Sequence, residues 1–136
     1  MSYGNATETD INAKIFKNTA LPFDAITDLY LALHTADPGE AGSQTTSEAT
    51  YTSYARVAVV RSAVGWTVSG ATVENAALVQ FVTCSGGSNT ITHVSIGTLS
   101  SGAGQIIVSG ALNSSLSVST GIQPQFSAGA LVFTLD

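Results

Sequence analysis

The hydrophobic residues near the start of the chain follow the spacing of a helix. Ile11 and Ile15 lie four residues apart and Phe16 lies beside Ile15, so the three form one apolar stripe. Acidic residues precede the stripe and lysines accompany its end, as the helix dipole favours. The pattern predicts a helix over residues 9–18 with a threonine cap. So short a helix is marginal alone, and we expect it to dock on its own sheet or on a neighbouring subunit.

After Pro22 the hydrophobic residues change to the spacing of strands. Residues 29–35 form a strongly apolar run, and residues 54–61 alternate in the manner of a second strand. Between them, Pro and Gly in residues 37–40 occupy the positions that a type II turn prefers. Residues 41–52 are polar and carry no large aliphatic side chain, which predicts an exposed loop.

Short apolar runs then recur at even spacing between clusters of Gly and Ser. The further predicted strands are 66–68, 77–83, 90–99, 105–112, 116–118, 123–126 and 131–135. The fold class that we expect is all-β, an antiparallel β-sandwich (jelly-roll-like or immunoglobulin-like) with a short N-terminal α-helix or arm. Residues 1–28 would form the helix and arm, and residues 29–136 the β-sandwich domain.

Two details of this pattern are specific enough to be tested by the structure. Residues 113–114 are predicted to be a turn between two of the strands, because Asn and Ser favour turns. Within residues 90–99 the even positions, which include Val94 and Ile96, hold most of the bulk and should face the core. Ile91, at an odd position, should then face outward.

Charged residues are concentrated in the first half of the chain. From Ser62 onward the charged residues are Glu74 and Asp136, and the whole chain is 10% charged, against about 25% in average proteins. Ordinary soluble monomers keep a charged surface. We therefore expect much of this surface to be covered by other chains, with a homo-oligomer (dimer or trimer) as one form. A monomer coated with Ser and Thr hydroxyls is the alternative.

Composition also argues against several classes of partner. The net charge is −5 and the four Lys and Arg residues form no run, so direct nucleic-acid binding is not expected. The single cysteine, Cys84, lies in an apolar run and is expected to be a buried thiol without a disulfide. No basic and apolar leader and no apolar run of about 20 residues is present, so we expect synthesis in a cytoplasm and no membrane contact.

The residues that could carry chemistry are few. His34 and His93 are the candidates for catalysis, but no Gly-X-Ser-X-Gly segment accompanies them, and structural roles are expected. Asp37, Glu40 and Glu48 share one loop and could offer oxygens to Ca²⁺, although their spacing matches no calcium-binding loop. A solvated acidic loop is the favoured interpretation. We therefore expect no enzyme, no catalytic or metal-ligating residue and no cofactor.

Aromatic residues leave one ligand hypothesis open. A sugar could stack on a platform formed by Tyr30, Tyr51, Tyr54 and Trp66. Scattered aromatic residues in a β-sandwich more often pack in the core or on hairpins, and that interpretation is favoured.

Several segments, spread over nearly the whole chain, carry a resemblance to a known family. They are LYLALHTADPGEAG (29–42), YARVAV (54–59), NAA (75–77), THVSIG (92–97), SGAL (109–112) and PQFSAGAL (124–131). With these segments the chain resembles a family of small virion proteins of tailed bacteriophages, whose members are often labelled tail-fibre proteins. The resemblance implies a virion protein, made in the host bacterial cytoplasm, that has no catalytic residues. It does not fix a position on the head or on the tail.

Physical arguments favour the head. Fibres that reach for a host are usually long and repetitive, whereas this chain has neither heptads nor repeats. A compact sandwich with an arm and a polar loop suits a capsid decoration (cement) protein that binds the major capsid protein or other virion proteins, because binding to the assembled shell stabilises it. The alternative is a tail-fibre or baseplate-associated module that binds a host-surface glycan. A phage-encoded hydrolase is a third hypothesis.

Partner contacts are expected from the arm and from residues 36–52. The residues assigned to these contacts are Ile11, Ile15, Phe16, Phe23, Asp37, Glu40, Glu48 and Tyr51.

Overall fold

A computed structural model describes residues 1–134 of the chain. In that range it contains one helix, α1 (Asn5–Lys17), and ten strands. The strands are β1 (Ser2–Tyr3), β2 (Asp28–His34), β3 (Val57–Val60), β4 (Trp66–Ser69), β5 (Thr72–Asn75), β6 (Val79–Gln80), β7 (Asn89–Gly97), β8 (Ile106–Val118), β9 (Gln125–Phe126) and β10 (Val132–Thr134).

The strands form three antiparallel sheets. The large sheet has the order β1-β8-β7-β2-β3, a three-stranded sheet has the order β10-β5-β4, and β6 pairs with β9. Hydrophobic side chains of the large sheet pack with those of the two small sheets in one core. The prediction of an all-β sandwich with a short N-terminal helix is therefore confirmed. Across residues 1–134, no helix is long and apolar enough to span a membrane.

The core lies between the large sheet and the small sheets. Its buried members include Leu31, Val94 and Val108 from the large sheet and Trp66, Phe81 and Leu131 from the small sheets and their flanks. Burying an aliphatic or aromatic side chain of this size stabilises a fold by about 1.5–3 kcal/mol. Cys84 belongs to the same core at 1% exposure, and its Sγ lies 3.2 Å from the carbonyl oxygen of Gly86. The predicted buried thiol is confirmed.

The alternation predicted for residues 90–99 is interrupted within β7. The pairing of β7 with β8 shifts register between Ile91 and His93, as at a β-bulge. As a result Ile91 joins Val94 and Ile96 in the core. The prediction that Ile91 faces outward is wrong. The pairing changes at this point because the step from Ile91 to His93 in β7 corresponds to the longer step from Leu116 to Ala111 in β8, so one alternation does not hold along the whole of β7.

Residues 41–52, predicted to be an exposed loop, pack in part against the large sheet. Gln44 is fully buried and Ala49 is 5% exposed. The Gln44 side chain donates a hydrogen bond to the carbonyl of Tyr30 (3.4 Å) and accepts one from the amide of Leu99 (3.0 Å). The prediction of an exposed loop is wrong, because polar side chains such as Gln44 form hydrogen bonds within the protein.

Several element boundaries also differ from the predictions. α1 begins after Gly4, whose extended backbone caps it without a side-chain hydrogen bond, so the expected threonine cap is wrong. β8 is a single strand of 13 residues that runs through the turn predicted at 113–114. The strand predicted over 77–83 is much shorter in the structure, where β6 consists of two residues, Val79 and Gln80. β1 and β5 were not predicted.

The division of the chain at residue 28 stays a prediction. Ser2 and Tyr3 pair with β8, so the start of the proposed arm is itself part of the large sheet. The strand predicted over 131–135 corresponds to β10 (Val132–Thr134). Residue 135, the last residue of the prediction, lies outside the described range.

Candidate interaction surface

Polar contacts hold the first half of α1 against the large sheet. Thr7 is buried, and its hydroxyl donates a hydrogen bond to the carbonyl of Ile106 (3.1 Å). Gln105 Nε2 donates to Thr7 Oγ1 and to Asp10 Oδ2, both at 2.9 Å. The helix therefore docks on its own sheet at its start, and it does so through polar side chains.

The other end of α1 presents apolar side chains to solvent. Ile15 is 66% exposed and Phe16 is 81% exposed, whereas Ile11 is partly covered. The helix ends at Asn18, which has a left-handed backbone (φ 51°). The carbonyl groups of the last turn have no partner within the helix. We call this part, residues 14–17, the helix end; Ile15 and Phe16 were assigned to partner contacts, and that assignment stays a prediction.

Phe23 has an internal contact. It is 8% exposed, and the guanidinium carbon of Arg61 lies 5.8 Å from its ring centroid. Arg61 Nη1 also donates to the carbonyls of Phe23 (2.7 Å) and Ile26 (3.0 Å). These contacts fix the segment between α1 and β2, and burial leaves little of Phe23 for a partner.

Glu48 is likewise engaged within the protein. Its carboxylate accepts hydrogen bonds from Arg56 Nε (2.7 Å), Arg56 Nη2 (2.8 Å) and the Tyr54 hydroxyl (2.9 Å). Asp37 and Glu40 are exposed. Within residues 1–134 no group of three or more His, Cys, Asp or Glu side chains is placed to hold a metal ion.

Three of the four aromatic residues considered for sugar stacking pack in the core. Tyr51 is 3% exposed, and its hydroxyl donates to the carbonyl of Val82 (3.0 Å). The rings of Tyr51 and Tyr54 meet edge to face at 5.3 Å, and those of Tyr54 and Phe81 stack at 6.3 Å. Trp66 is 8% exposed. Core packing, the favoured interpretation, is confirmed for Tyr51, Tyr54 and Trp66, whereas Tyr30 is half-buried and stands outside the core cluster.

His34 is enclosed in the large sheet. Its Nδ1 lies 2.8 Å from the carbonyl oxygen of Thr46 and its Nε2 lies 2.7 Å from Ser95 Oγ. Because a carbonyl oxygen only accepts, Nδ1 carries the proton and Nε2 accepts from the serine hydroxyl. Burial lowers the pKa of His34 below its ordinary value. This imidazole joins two distant segments of the chain, which is a structural role.

An open apolar cleft lies between the large sheet and the three-stranded sheet. It has a volume of about 490 Å³. Its lining comprises Leu29, Ile96 and Ile107 from the large sheet, Trp66, Val68, Val73 and Phe133 from the three-stranded sheet, and Arg61, Ser62 and Ala63. The indole nitrogen of Trp66 is buried and has no hydrogen-bond partner among residues 1–134. The sequence interpretation missed this cleft, because β5, which forms part of its wall, was not predicted.

An exposed apolar helix end and an open apolar cleft on a small β-sandwich are features of a protein that binds other chains. The chain belongs to the family described as Podophage GP4 fiber I protein gp80, which it matches over residues 2–134. It is thus a tailed-phage virion protein related to a fibre, as the resemblance implied. No curated protein matches the chain.

Proposed function

We propose that the protein is a non-enzymatic structural subunit of a phage fibre, joined to its neighbours in the virion through the helix end. The observation that carries the proposal is the 81% exposure of Phe16 beside Ile15, on a helix whose start is fixed to the sheet. Burying two such side chains against another chain contributes about 3–6 kcal/mol before the cost of association. The family description, which names a fibre, supports this position over the head.

The partners in this proposal are other virion proteins and further copies of the chain. Nucleic acid is not among them, because Arg56 and Arg61 are engaged in internal contacts and the other two basic residues of the sequence, Lys14 and Lys17, are too few for a phosphate-binding surface. A host-surface glycan is not assigned to Tyr51, Tyr54 or Trp66, since these side chains pack inside. A capsid decoration protein would use the same helix end against the major capsid protein, and the experiment below separates it from a fibre subunit.

Phage that carry the double substitution Ile15→Ser and Phe16→Ser should form particles that lack the protein and adsorb poorly to the host. Their heads should resist heat and osmotic shock as wild-type heads do. The measurements are quantitative mass spectrometry of purified particles, the adsorption rate and the loss of infectivity on heating. The matched control is Val82→Ser with Leu99→Ser, two side chains of 48% and 47% exposure away from the helix.

Each deviation from this result has a definite meaning. Full occupancy of the doubly substituted protein on the particles would overturn the role of the helix end. Fragile heads together with normal adsorption would contradict the role as a fibre subunit and support that of a capsid decoration protein. A control that is also lost from the particles would show that exposed apolar residues in general, and not the helix end, hold the protein in place.

A further inference from the structure

We propose that two copies of the chain pair through the free edge of β3, so that their large sheets join into one continuous antiparallel sheet. The contact goes beyond the proposed function, because it uses a surface other than the helix end and needs no other virion protein. Unpaired backbone groups on β3 and the uncharged surface around them support it.

One edge of the large sheet ends at β3, which pairs with β2 and with no other strand of residues 1–134. The N–H of Arg61 donates to the carbonyl of Thr27 in the register of this pairing, so alternate residues of β3 point away from β2. Ala58 therefore turns both its N–H and its carbonyl outward, and Val60 turns its N–H outward. Neither the strand pairings nor the other backbone hydrogen bonds of residues 1–134 engage these three groups. Free groups at the spacing of a strand bind another strand.

The edge at β3 lacks the features that protect free strands in other proteins. Protected edges are commonly very short, charged, bulged or occupied by proline. β3 consists of three valines and one alanine, and its pairing with β2 runs without a shift of register. At the opposite edge of the large sheet, by comparison, β1 has two residues. We therefore expect the β3 edge to be covered in the assembled protein.

The surface around this edge is apolar. A groove of about 340 Å³ borders it, lined by β3, by Val64 and Gly65, and by residues 77–80. Val60, Val64 and Leu78 are exposed there. The lining consists of apolar side chains together with Gly65 and Gln80. A partner strand with small apolar side chains and no charge fits this surface, and β3 is itself such a strand.

Two copies of β3 are complementary when they run antiparallel about a two-fold axis at Ala58. The N–H of Ala58 in each copy then donates to the carbonyl of Ala58 in the other. Val57 of one copy lies opposite Val59 of the other on the core side of the sheet, and such β-branched pairs are favourable. The register that pairs Val60 with Ala58 is less favourable, because the carbonyl of Val60 already accepts a hydrogen bond from Ser62 (2.9 Å).

The charged residues that flank β3 are compatible with a second copy. In the proposed register Arg56 lies opposite Val60 of the other copy and Arg61 lies opposite Ala55, so like charges do not face each other. Both guanidinium groups are also held within their own copy, Arg56 by Glu48 and Arg61 by backbone carbonyls. A charged segment of another protein would lose hydration at this uncharged edge, which favours a second copy as the occupant.

Association of the purified protein tests the contact. Wild type should sediment as a monomer when dilute and as a dimer when concentrated, because a two-fold contact closes on itself. Ala58→Pro removes the outward N–H and leaves the hydrogen bonds to β2 intact, so it should weaken dimerisation at least about 10-fold. Val60→Lys, which places a lysine opposite Arg56 of the other copy, should weaken dimerisation to a similar degree.

Val68→Pro is the matched control. Val68 lies in β4, an edge strand of the three-stranded sheet. Its N–H also points outward, because the N–H of Ala76 donates to the carbonyl of Gly65 in the register of β4 with β5. The control should dimerise like wild type. Urea unfolding shows whether each variant is folded, and Val60→Lys keeps the test decisive should Ala58→Pro fail to fold.

Hydrogen exchange of single amides identifies the strand that pairs. The amides of Ala58 and Val60 should exchange at least about 10-fold more slowly in the concentrated dimer than in the dilute monomer, because they gain acceptors there. The amide of Val68 should exchange at the same rate in both.

Three results would overturn the pairing: a wild-type protein that stays monomeric at all concentrations, dimers that Ala58→Pro and Val60→Lys leave unchanged, or dimers in which the Ala58 amide exchanges as fast as in the monomer. Protection of Val68 in place of Ala58 would also overturn it, because β4 would then be the contact. A monomeric protein whose Ala58 amide is protected in purified particles would assign the edge to another virion protein instead. The proposed function is tested separately by the particle experiment and does not depend on these results.

Discussion

A single buried histidine ties together three parts of the chain. His34 lies in β2, its Nδ1–H donates to Thr46 and its Nε2 accepts from Ser95 of β7. The apolar run around His34 predicted the strand. The partners of the imidazole could not be predicted, because they lie 12 and 61 residues away and come together through the pairing of β2 with β7.

Acidification should destabilise the protein through His34. Burial lowers its pKa from 6.5, so the unfolded chain binds the proton more readily than the folded protein does. The stability that the neutral imidazole contributes is complete above about pH 6.5 and is lost as the pH falls from there towards the folded-state pKa. Urea unfolding across this window should show a falling midpoint in wild type and a flatter profile in His34→Gln.

Gly97→Ala should destabilise the protein by about 1–3 kcal/mol, the usual cost of overpacking. A Cβ at this position would overlap the side chain of Gln44, which is fully buried and cannot move away. Gly86→Ala is the matched control, since its Cβ would lie 3.1 Å from Thr52 Oγ1 on an exposed side chain. Chemical denaturation of both variants gives the comparison. Equal free energies of unfolding for the two would mean that Gln44 does not pack as described.

At the scale of elements, the hydrophobic pattern predicted long apolar strands better than short or mixed ones. β2 and β7 were predicted almost to their ends, because their apolar runs are unbroken by turn residues. β5 was missed because Val73 is its one large apolar residue. Gly70 could have indicated β5. Two residues, Gly70 and Ala71, connect β4 to β5, and a type II′ hairpin turn prefers glycine at the first of its two central positions. In the structure Gly70 has the positive φ of 60° that such a turn requires.

The segment 36–52 shows where composition misleads. Its polar residues predicted a solvated loop, yet Glu48 and Gln44 are held by groups from other parts of the fold. Composition reports how polar a segment is. It does not report whether water or the protein supplies the hydrogen-bond partners, which depends on contacts that are distant in sequence.

Glu48→Ala should lower the free energy of unfolding by about 3 kcal/mol, because it leaves Arg56 buried without its carboxylate. The Arg56 side chain is 2% exposed and also holds the carbonyls of Leu99 and Gly102, so it cannot turn to solvent easily. Glu40→Ala, at an exposed carboxylate of the same segment, is the control and should change stability by less than about 0.5 kcal/mol. Urea unfolding measures both, and similar losses in the two would contradict a structural ion pair.

At the scale of the whole molecule, the sequence predicted the helix end as a contact surface and did not predict the cleft between the sheets. The helix end could be recognised because Ile15 and Phe16 extend a stripe that a short helix cannot bury alone. The internal contacts of Phe23, Glu48 and Tyr51 could not be recognised, since the groups that they contact lie in other segments of the chain. The cleft depends on the gap between two sheets, which no local pattern records.

The environment of Cys84 has a consequence for the life of the particle. The only thiol of the chain is enclosed at 1% exposure, with its sulfhydryl donating to Gly86. Enclosed thiols of this kind react slowly with oxygen and with disulfides. A virion leaves the reducing interior of a cell for aerated water. Because Cys84 is enclosed, this subunit exposes no thiol that could oxidise there and form a disulfide with another protein.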